Sequence, residues 1–279
     1  MKTTIIPHRS FFSLQAFRLS AFSAAALLLL TPGVAFAWAQ GGHNAIAAIA
    51  EANLTPKAKE NIEKHLEGRS IIYYAVWMDW FRHVPEYKHT HVWHTAPADA
   101  AFKYAAGASG EAGNAISAIE DSIAALRNYK SLSPETIEFH LKILVHAIGD
   151  YHCPVHVKYS TIKTNFKVVK QGKEVSYHSI WDGDVVDVRK WSYTEWANQL
   201  NRLGKAKIAE VTAGTPRDWF HQTALDSRVI YDWAKPGAKF EVKDKSWQDF
   251  VNKALPLAES QIQKAGYRLA KVLNDLFGQ

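Results

Sequence analysis

The segment Ile143–His156, ILVHAIGDYHCPVH, sets ionisable side chains inside an apolar run, and this limits what the chain can become. Ser133-Pro134 supplies an N-cap residue followed by proline at the first helical position, so a helix is expected to start there. In it, Ile137, Leu141, Leu144, Val145 and Ile148 recur at helical spacing as one apolar stripe. A second side carries Phe139, Ile143, His146 and Asp150, which leaves Glu135, Glu138 and Lys142 for solvent. A helix covered on two sides must bury His146 and Asp150. Burying an imidazole and a carboxylate is costly unless they are paired or bound to metal.

The rest of the chain offers enough apolar material for such a core. Of 279 residues, 47% are hydrophobic and ten are Trp. No linker-like stretch and no internal repeat divides the sequence, which argues for one domain. The first 37 residues read differently. Lys2, Arg9 and Arg18 lead into an apolar stretch that ends in Ala35-Phe36-Ala37, the three-part pattern of a cleaved secretory signal peptide. The expected organisation is therefore a leader, 1–37, and a domain, 38–279, that is secreted or periplasmic and begins at Trp38. Without the leader the net charge of +6 falls to +3, which permits an anionic partner without requiring one. No other segment approaches the ~20 apolar residues of a membrane span, so no stable membrane association is expected, and a monomer is favoured. Cys153 is the only cysteine, so no intramolecular disulfide can form.

Outside the leader the periodicity is helical, with runs near 41–53, 56–67, 71–83, 111–130, 193–203, 215–233 and 246–275. The exception is NFKVVKQGKEVSYH, where two β-rich runs flank Gln171-Gly172-Lys173 as a hairpin. The fold class is mainly α, a multi-helix single domain with a small β-hairpin.

His146 and Asp150 are four apart, which places both on one helix face. Pro154 then ends the helix and turns the chain, and His156 follows. A second such pair, His178 and Asp182, recurs about thirty residues on. One His-x-x-x-Asp pair is more often an ordinary hydrogen-bonded contact than a metal site. Two pairs bracketing a further histidine favour metal, because neutral imidazole and carboxylate are the usual non-thiolate zinc donors.

The motifs WAQGGH, AVWMDWFR, VWH, LVHAIGD…PVH, HSIWD and ALPLAESQIQKAGYRLAKVL occur in that order across 38–275. In this combination the chain resembles the zinc-dependent, single-strand-specific nucleases of fungi, plants and bacteria, relatives of zinc phospholipase C. The resemblance implies three Zn2+ ions in a cleft of a mostly helical fold. Carried over by motif, Asp79, His94, His146 and Asp150 would hold one zinc, and His156, His178 and Asp182 a second. Trp38, through its α-amine and carbonyl, would hold the third with His43 and a bridging Asp150. Asp79 would also orient the attacking water, and Arg82 would bind the phosphate. The activity implied is hydrolysis of single-stranded DNA and RNA to 5′-phosphate products, with nucleotides as further substrates through 3′-nucleotidase activity.

Other polar residues fit the pattern less well. His65, His83, His140, His152 and His221 match no ligand position, and His89 and His91 yield to His94, which follows Trp93 as the motif requires. Cys153 reads as a small buried filler. The fungal relatives carry a base-binding aromatic directly after the His94 position and an Asp two further on, whereas this chain reads Thr95-Ala96-Pro97. Base stacking must then be weak or come from another aromatic. A phospholipase C and a non-catalytic zinc-binding protein remain as alternatives on the same scaffold.

Overall fold

The structure is a computed structural model and describes residues 38–279; the expected leader, 1–37, lies outside the described residues. The elements run α1 (Gln40–Ala52), α2 (Pro56–His65), α3 (Trp77–Phe81), β1 (Ala96–Ala98), α4 (Ala115–Leu126) and α5 (Pro134–His152). They continue with β2 (Val157–Tyr159), β3 (Lys167–Lys170), β4 (Lys173–Ser176), and the single turns α6 (Tyr177–Ser179) and α7 (Val185–Asp187), which flank a π-helical turn at Ile180–Asp184. The remainder is α8 (Tyr193–Leu200), α9 (Lys205–Val211), α10 (Pro216–Ser227), α11 (Ile230–Trp233), β5 (Lys239–Phe240) and α12 (Lys245–Phe277). The fold is mainly α, as the periodicity requires.

Five helices make the frame among the described residues. α12, of 33 residues, lies against α1, α2 and α5, and α4 packs along α5. α5 is buried on two sides as expected, from Ile137 and Leu141 through His152. The Ser133 hydroxyl accepts from the Thr136 amide at 3.3 Å, so the cap forms as its sequence indicates. Lys142 differs from expectation. Instead of extending into solvent, it folds back over the Tyr74 and Trp77 rings at 4.6 and 4.9 Å. Pro256 sits inside α12 on its exposed side, where water can satisfy the backbone carbonyl it leaves unpaired.

The crossing of α1 with α12 depends on one missing methyl group. A Cβ on Gly266 would lie 2.5 Å from Ile49 Cγ2 and 3.2 Å from the Ile46 carbonyl oxygen. Two helix backbones can approach that closely only over glycine.

Several expected boundaries move for identifiable reasons. The run 71–83 is not one helix: it splits into a 3-10 turn, Ile71–Tyr74, and α3. The Ala75 carbonyl, which a continuous helix would use internally, accepts instead from His146 Nδ1 at 2.8 Å. The run 111–130 begins only at Ala115, because Gly113 has φ of 71° and Asn114 forms a capping box with Ser117. The run 215–233 breaks between α10 and α11, and α9 is an additional helix. The hairpin forms with Gln171 and Gly172 at φ of 50° and 72°, the left-handed pair of a two-residue hairpin turn. β5 joins β3 in parallel, and β1 pairs in parallel with β2, Ala96 opposite Val157. Strands of two or three residues leave no alternation to read, so neither pairing was foreseeable.

Gly266→Ala is expected to force α12 away from Ile49. Overpacking of this kind costs about 1–3 kcal/mol, to be read as a lowered midpoint in urea or thermal unfolding.

Candidate metal centre

The centre is assembled where α5 ends. Cys153 precedes Pro154, which disfavours the helical region for it, and it leaves α5 at φ −70°, ψ 123°. A 3-10 turn, Pro154–His156, then feeds β2. Because β2 runs beside β1, His156 comes beside the segment that leads into β1. His156 Nδ1 donates to the His94 carbonyl at 2.5 Å. His146 Nδ1 likewise donates to Ala75. A carbonyl can only accept, so each bond fixes the tautomer and turns Nε2 inward, the arrangement that orients metal-bound histidines.

Around His146 the inward atoms are close. Its Nε2 lies 3.1 Å from Asp150 Oδ2, 3.3 Å from His94 Nδ1 and 3.8 Å from Asp79 Oδ2. His94 Nδ1 is 2.8 Å from Asp150 Oδ2 and 3.7 Å from Asp79 Oδ1. From α1, the His43 ring stacks on His146 at 4.0 Å and sets Nε2 3.2 Å from Asp150 Oδ1. Gly149 makes room for that ring: a Cβ there would lie 3.0 Å from His43 Nδ1.

A second group lies on the other side of Asp150, whose Oδ1 is 3.7 Å from His156 Nδ1. His156 Nε2 and His178 Nε2 face each other at 3.1 Å. Asp182 Oδ2 is 3.0 Å from His178 Nε2, and Asp182 Oδ1 is 3.8 Å from His156 Nε2. The thiol of Cys153 donates to Asp182 Oδ1 at 3.5 Å, so this residue, read from sequence as filler, belongs to the group spatially. Trp38 is fully buried beside both groups. Its indole donates to the Gly149 carbonyl at 3.0 Å, and the Ala39 amide donates to the Asp182 carbonyl.

The chemistry of the donor set fits divalent metal. His43 Nδ1 and Nε2, both Asp79 oxygens, His94 Nε2, Asp150 Oδ1 and Asp182 Oδ2 are buried without a hydrogen-bond partner. Burial on this scale is rare unless something else satisfies the atoms. Three sets of side chains have ligand atoms close enough to share an ion: His43, His146 and Asp150; Asp79, His94 and His146; and Cys153, His156 and Asp182. Burial pushes His43, His94 and His156 toward the neutral form, which carries a lone pair. Burial opposes ionisation of Asp150, but the neighbouring imidazoles, His146 foremost through its charge and hydrogen bond, outweigh it and hold the carboxyl well below its usual range. At His146 burial likewise favours the neutral ring, yet the Asp150 and Asp79 charges raise its pKa to about 9. Burial lifts Asp182 to about 6 against the opposing pull of His178. The carboxylates thus draw positive charge to themselves, and a proton or a metal ion can provide it.

Arg82 caps the C-terminus of α3, largely buried, with Nη1 3.4 Å from Asp79 Oδ1. It also lines a cavity of about 820 Å3 with His83, Lys88, His91 and Trp93. The structure thus brings Trp38, His43, Asp79, Arg82, His94, His146, Asp150, His156, His178 and Asp182 into one region. His152 is directed away, to Arg268 Nη1 at 2.8 Å, and His140 meets Ser122. Cys153, expected beside the cluster as a small buried residue, is buried there. Sequence reasoning missed the placement of His83 and His91 along the cavity.

A family model described as S1/P1 nuclease matches residues 38–278. The chain belongs to the S1/P1 nuclease family. Among its relatives, Endonuclease 2 of Arabidopsis thaliana is 24% identical over 283 residues, covering 90% of this chain and 94% of the relative. Nuclease S1 of Aspergillus oryzae is 24% identical over 301 residues, covering 94% and 99%. Membership in the S1/P1 family makes the chain a nuclease, a hydrolase acting on nucleic acids, and the buried His/Asp groups give this member sites able to bind metal.

Stripping metal with a chelator is expected to leave the buried carboxylates under-compensated. The cost of an uncompensated buried charge, about 3–5 kcal/mol, corresponds to a fall in Tm on the order of 10 °C for a chain of this size. Differential scanning calorimetry before and after readdition of zinc checks it.

Proposed function

We propose that the chain is an exported, zinc-dependent endonuclease that cleaves single-stranded DNA and RNA to 5′-phosphate products and also removes 3′-phosphates from nucleotides. One observation carries this reading: unpartnered buried donor atoms from α1, α3, α5 and the segments before β1 and after β4 converge on Asp150, in a chain of a nuclease family. Nitrogen and oxygen donors suit zinc. Three ions are proposed, the first on Asp79, His94, His146 and Asp150, the second on His156, His178 and Asp182. The third would sit on Trp38, His43 and Asp150. Bound zinc supplies Lewis acidity, which lowers the pKa of water toward ~7 and stabilises the extra charge at phosphorus.

The chain's own residues do the positioning. Asp150, with one oxygen near His94 and His146 and the other near His43 and His156, spans both halves of the site. The Asp79 carboxylate accepts a hydrogen bond from the attacking water and aims its lone pair at phosphorus. Arg82, beside Asp79, donates to a non-bridging phosphate oxygen, so nucleophile and phosphate are held by neighbouring groups on one helix. The bond that breaks is to the 3′-oxygen, which leaves the phosphate on the 5′ side of the next nucleotide. Among the described residues no helix is long and apolar enough to cross a membrane. A monomer that is secreted or periplasmic, after loss of 1–37, completes the proposal.

The test is purified protein on single-stranded DNA, RNA, duplex DNA and phosphatidylcholine, with and without chelator. Chelator-sensitive cleavage of the first two, with 5′-phosphate ends, is expected; lipid hydrolysis without nucleic-acid cleavage overturns the proposal. Arg82→Ala is expected to lower kcat about 100-fold, the usual effect of removing one transition-state donor.

The role of Trp38 requires a free α-amine, because an amide nitrogen is a poor ligand. A variant with one extra residue before Trp38 is expected to hold fewer zinc ions by elemental analysis and to lose activity. Equal zinc content and full activity in that variant would remove Trp38 from the ligand set.

A further inference from the structure

The proposed chemistry makes no use of an aromatic face beside the metal centre. Tyr73 and Trp80 are 60% and 57% exposed, and Phe81 is 37% exposed. Behind them Tyr74 and Trp77 are buried, with Phe81 stacked on Trp77 at 5.3 Å and Tyr73 meeting Tyr74 edge-on at 4.9 Å. Trp80 has no ring partner among the described residues. The rings border a cavity of about 360 Å3. Grouped exposed apolar side chains are a marker of interaction sites.

Its edge is neither strongly basic nor acidic. Arg69 lies over the Tyr73 ring at 4.5 Å and Lys142 over Tyr74. Each cation has an acidic neighbour, Glu67 for Arg69 at 3.9 Å and Glu138 for Lys142 at 2.5 Å. The face therefore offers ring surface first and two cations second. That combination suits bases with intervening phosphates better than phosphates alone.

The face shares α3 with the candidate centre. Trp80 follows Asp79 and Phe81 precedes Arg82, so one short helix sends the carboxylate inward and the rings outward. Lys142 lies one turn before His146 on α5, about 6 Å along the axis. Arg82 follows Phe81 directly, so a strand held by its phosphate at Arg82 is expected to continue past this face.

We propose that Tyr73, Trp80 and Phe81 form a stacking platform for unpaired bases of a single-stranded substrate that lie beyond the two nucleotides flanking the cleaved bond. This rests on the nuclease reading of the centre and adds to it a source of strand selectivity. In a duplex each base already has both faces covered by its neighbours. Only an unpaired strand can turn a base onto the platform, and because every base has a π-face the gain is tolerant of sequence. The aromatic that is missing after His94 is thus compensated by rings on a different element.

The test compares a 20-nucleotide oligo-dT with a dinucleotide, using the metal-loaded protein. The readout is the ratio of their kcat/KM values in wild type, Trp80→Ala, Tyr73→Ala and Trp80→Phe. Loss of one stacked base is expected to lower this length ratio about tenfold in Trp80→Ala. Tyr73→Ala should lower it as well, and Trp80→Phe should keep most of it. Tyr73 belongs to a separate turn from Asp79, so its effect is not a displaced carboxylate. An unchanged ratio in both alanine variants overturns the platform. So does loss of binding to phosphatidylglycerol vesicles, or of self-association in sedimentation, with the ratio intact: the face would then be a lipid or protein contact. If wild type cleaves neither substrate, the nuclease reading fails, and oligo-dT quenching of tryptophan fluorescence in the chelated protein judges the platform separately. Quenching that weakens in Tyr73→Ala supports it, and equal quenching overturns it.

Discussion

A carboxylate at Asp150 with no access to water must be matched by positive charge, and the surrounding architecture meets that demand. Its neighbours come from α1, α5, the segment ahead of β1 and the turn ahead of β2. Two of the imidazoles are held by backbone carbonyls rather than by other side chains, so their inward nitrogens move only if the main chain moves. That rigidity has a local cost. Ala75 surrenders its carbonyl to His146, and the helix that would have run through it is broken in two. The break separates the turn bearing Tyr73 from α3, and it is what leaves α3 short enough to sit over the centre.

The parts of this arrangement that were legible in the sequence are those governed by local spacing. His146 and Asp150 lie on one helix face because α5 is a regular helix with its stripe and cap intact. His178 and Asp182 keep the same spacing although their segment passes from a single α-turn into a π-turn. The parts that were not legible depend on distant residues. Nothing near Ala75 announces that its carbonyl will be claimed from α5, and three-residue strands carry no period. Lys142 reads as solvent-facing by its angle on the helix, but its four-carbon stem covers rings that the fold brings beneath it. The grouping of all the candidate ligands came through resemblance of motifs, since no spacing connects His43 to Asp150.

Relatives at 24% identity differ from this chain at most aligned positions. Apolar positions in α12 and α4 can exchange with one another as long as volume is kept. The positions around Asp150 cannot, because each supplies a particular atom at a particular place. α3 shows both regimes in five residues: Asp79 is enclosed, while Trp80 next to it faces water and is open to change without disturbing the fold.

The parallel pairing of β1 with β2 has a consequence for how the protein comes into being. Ala96 and Val157 are far apart in the chain, and the whole of α4 and α5 must be laid down between them before they can meet. Contacts of such long sequence separation cost more loop-closure entropy than local ones. While β1 and β2 are apart, His94 and His156 are apart too, and the donor groups they belong to are not joined around Asp150. The joining of the two donor groups is thus a property of the long-range topology, which no local segment holds by itself.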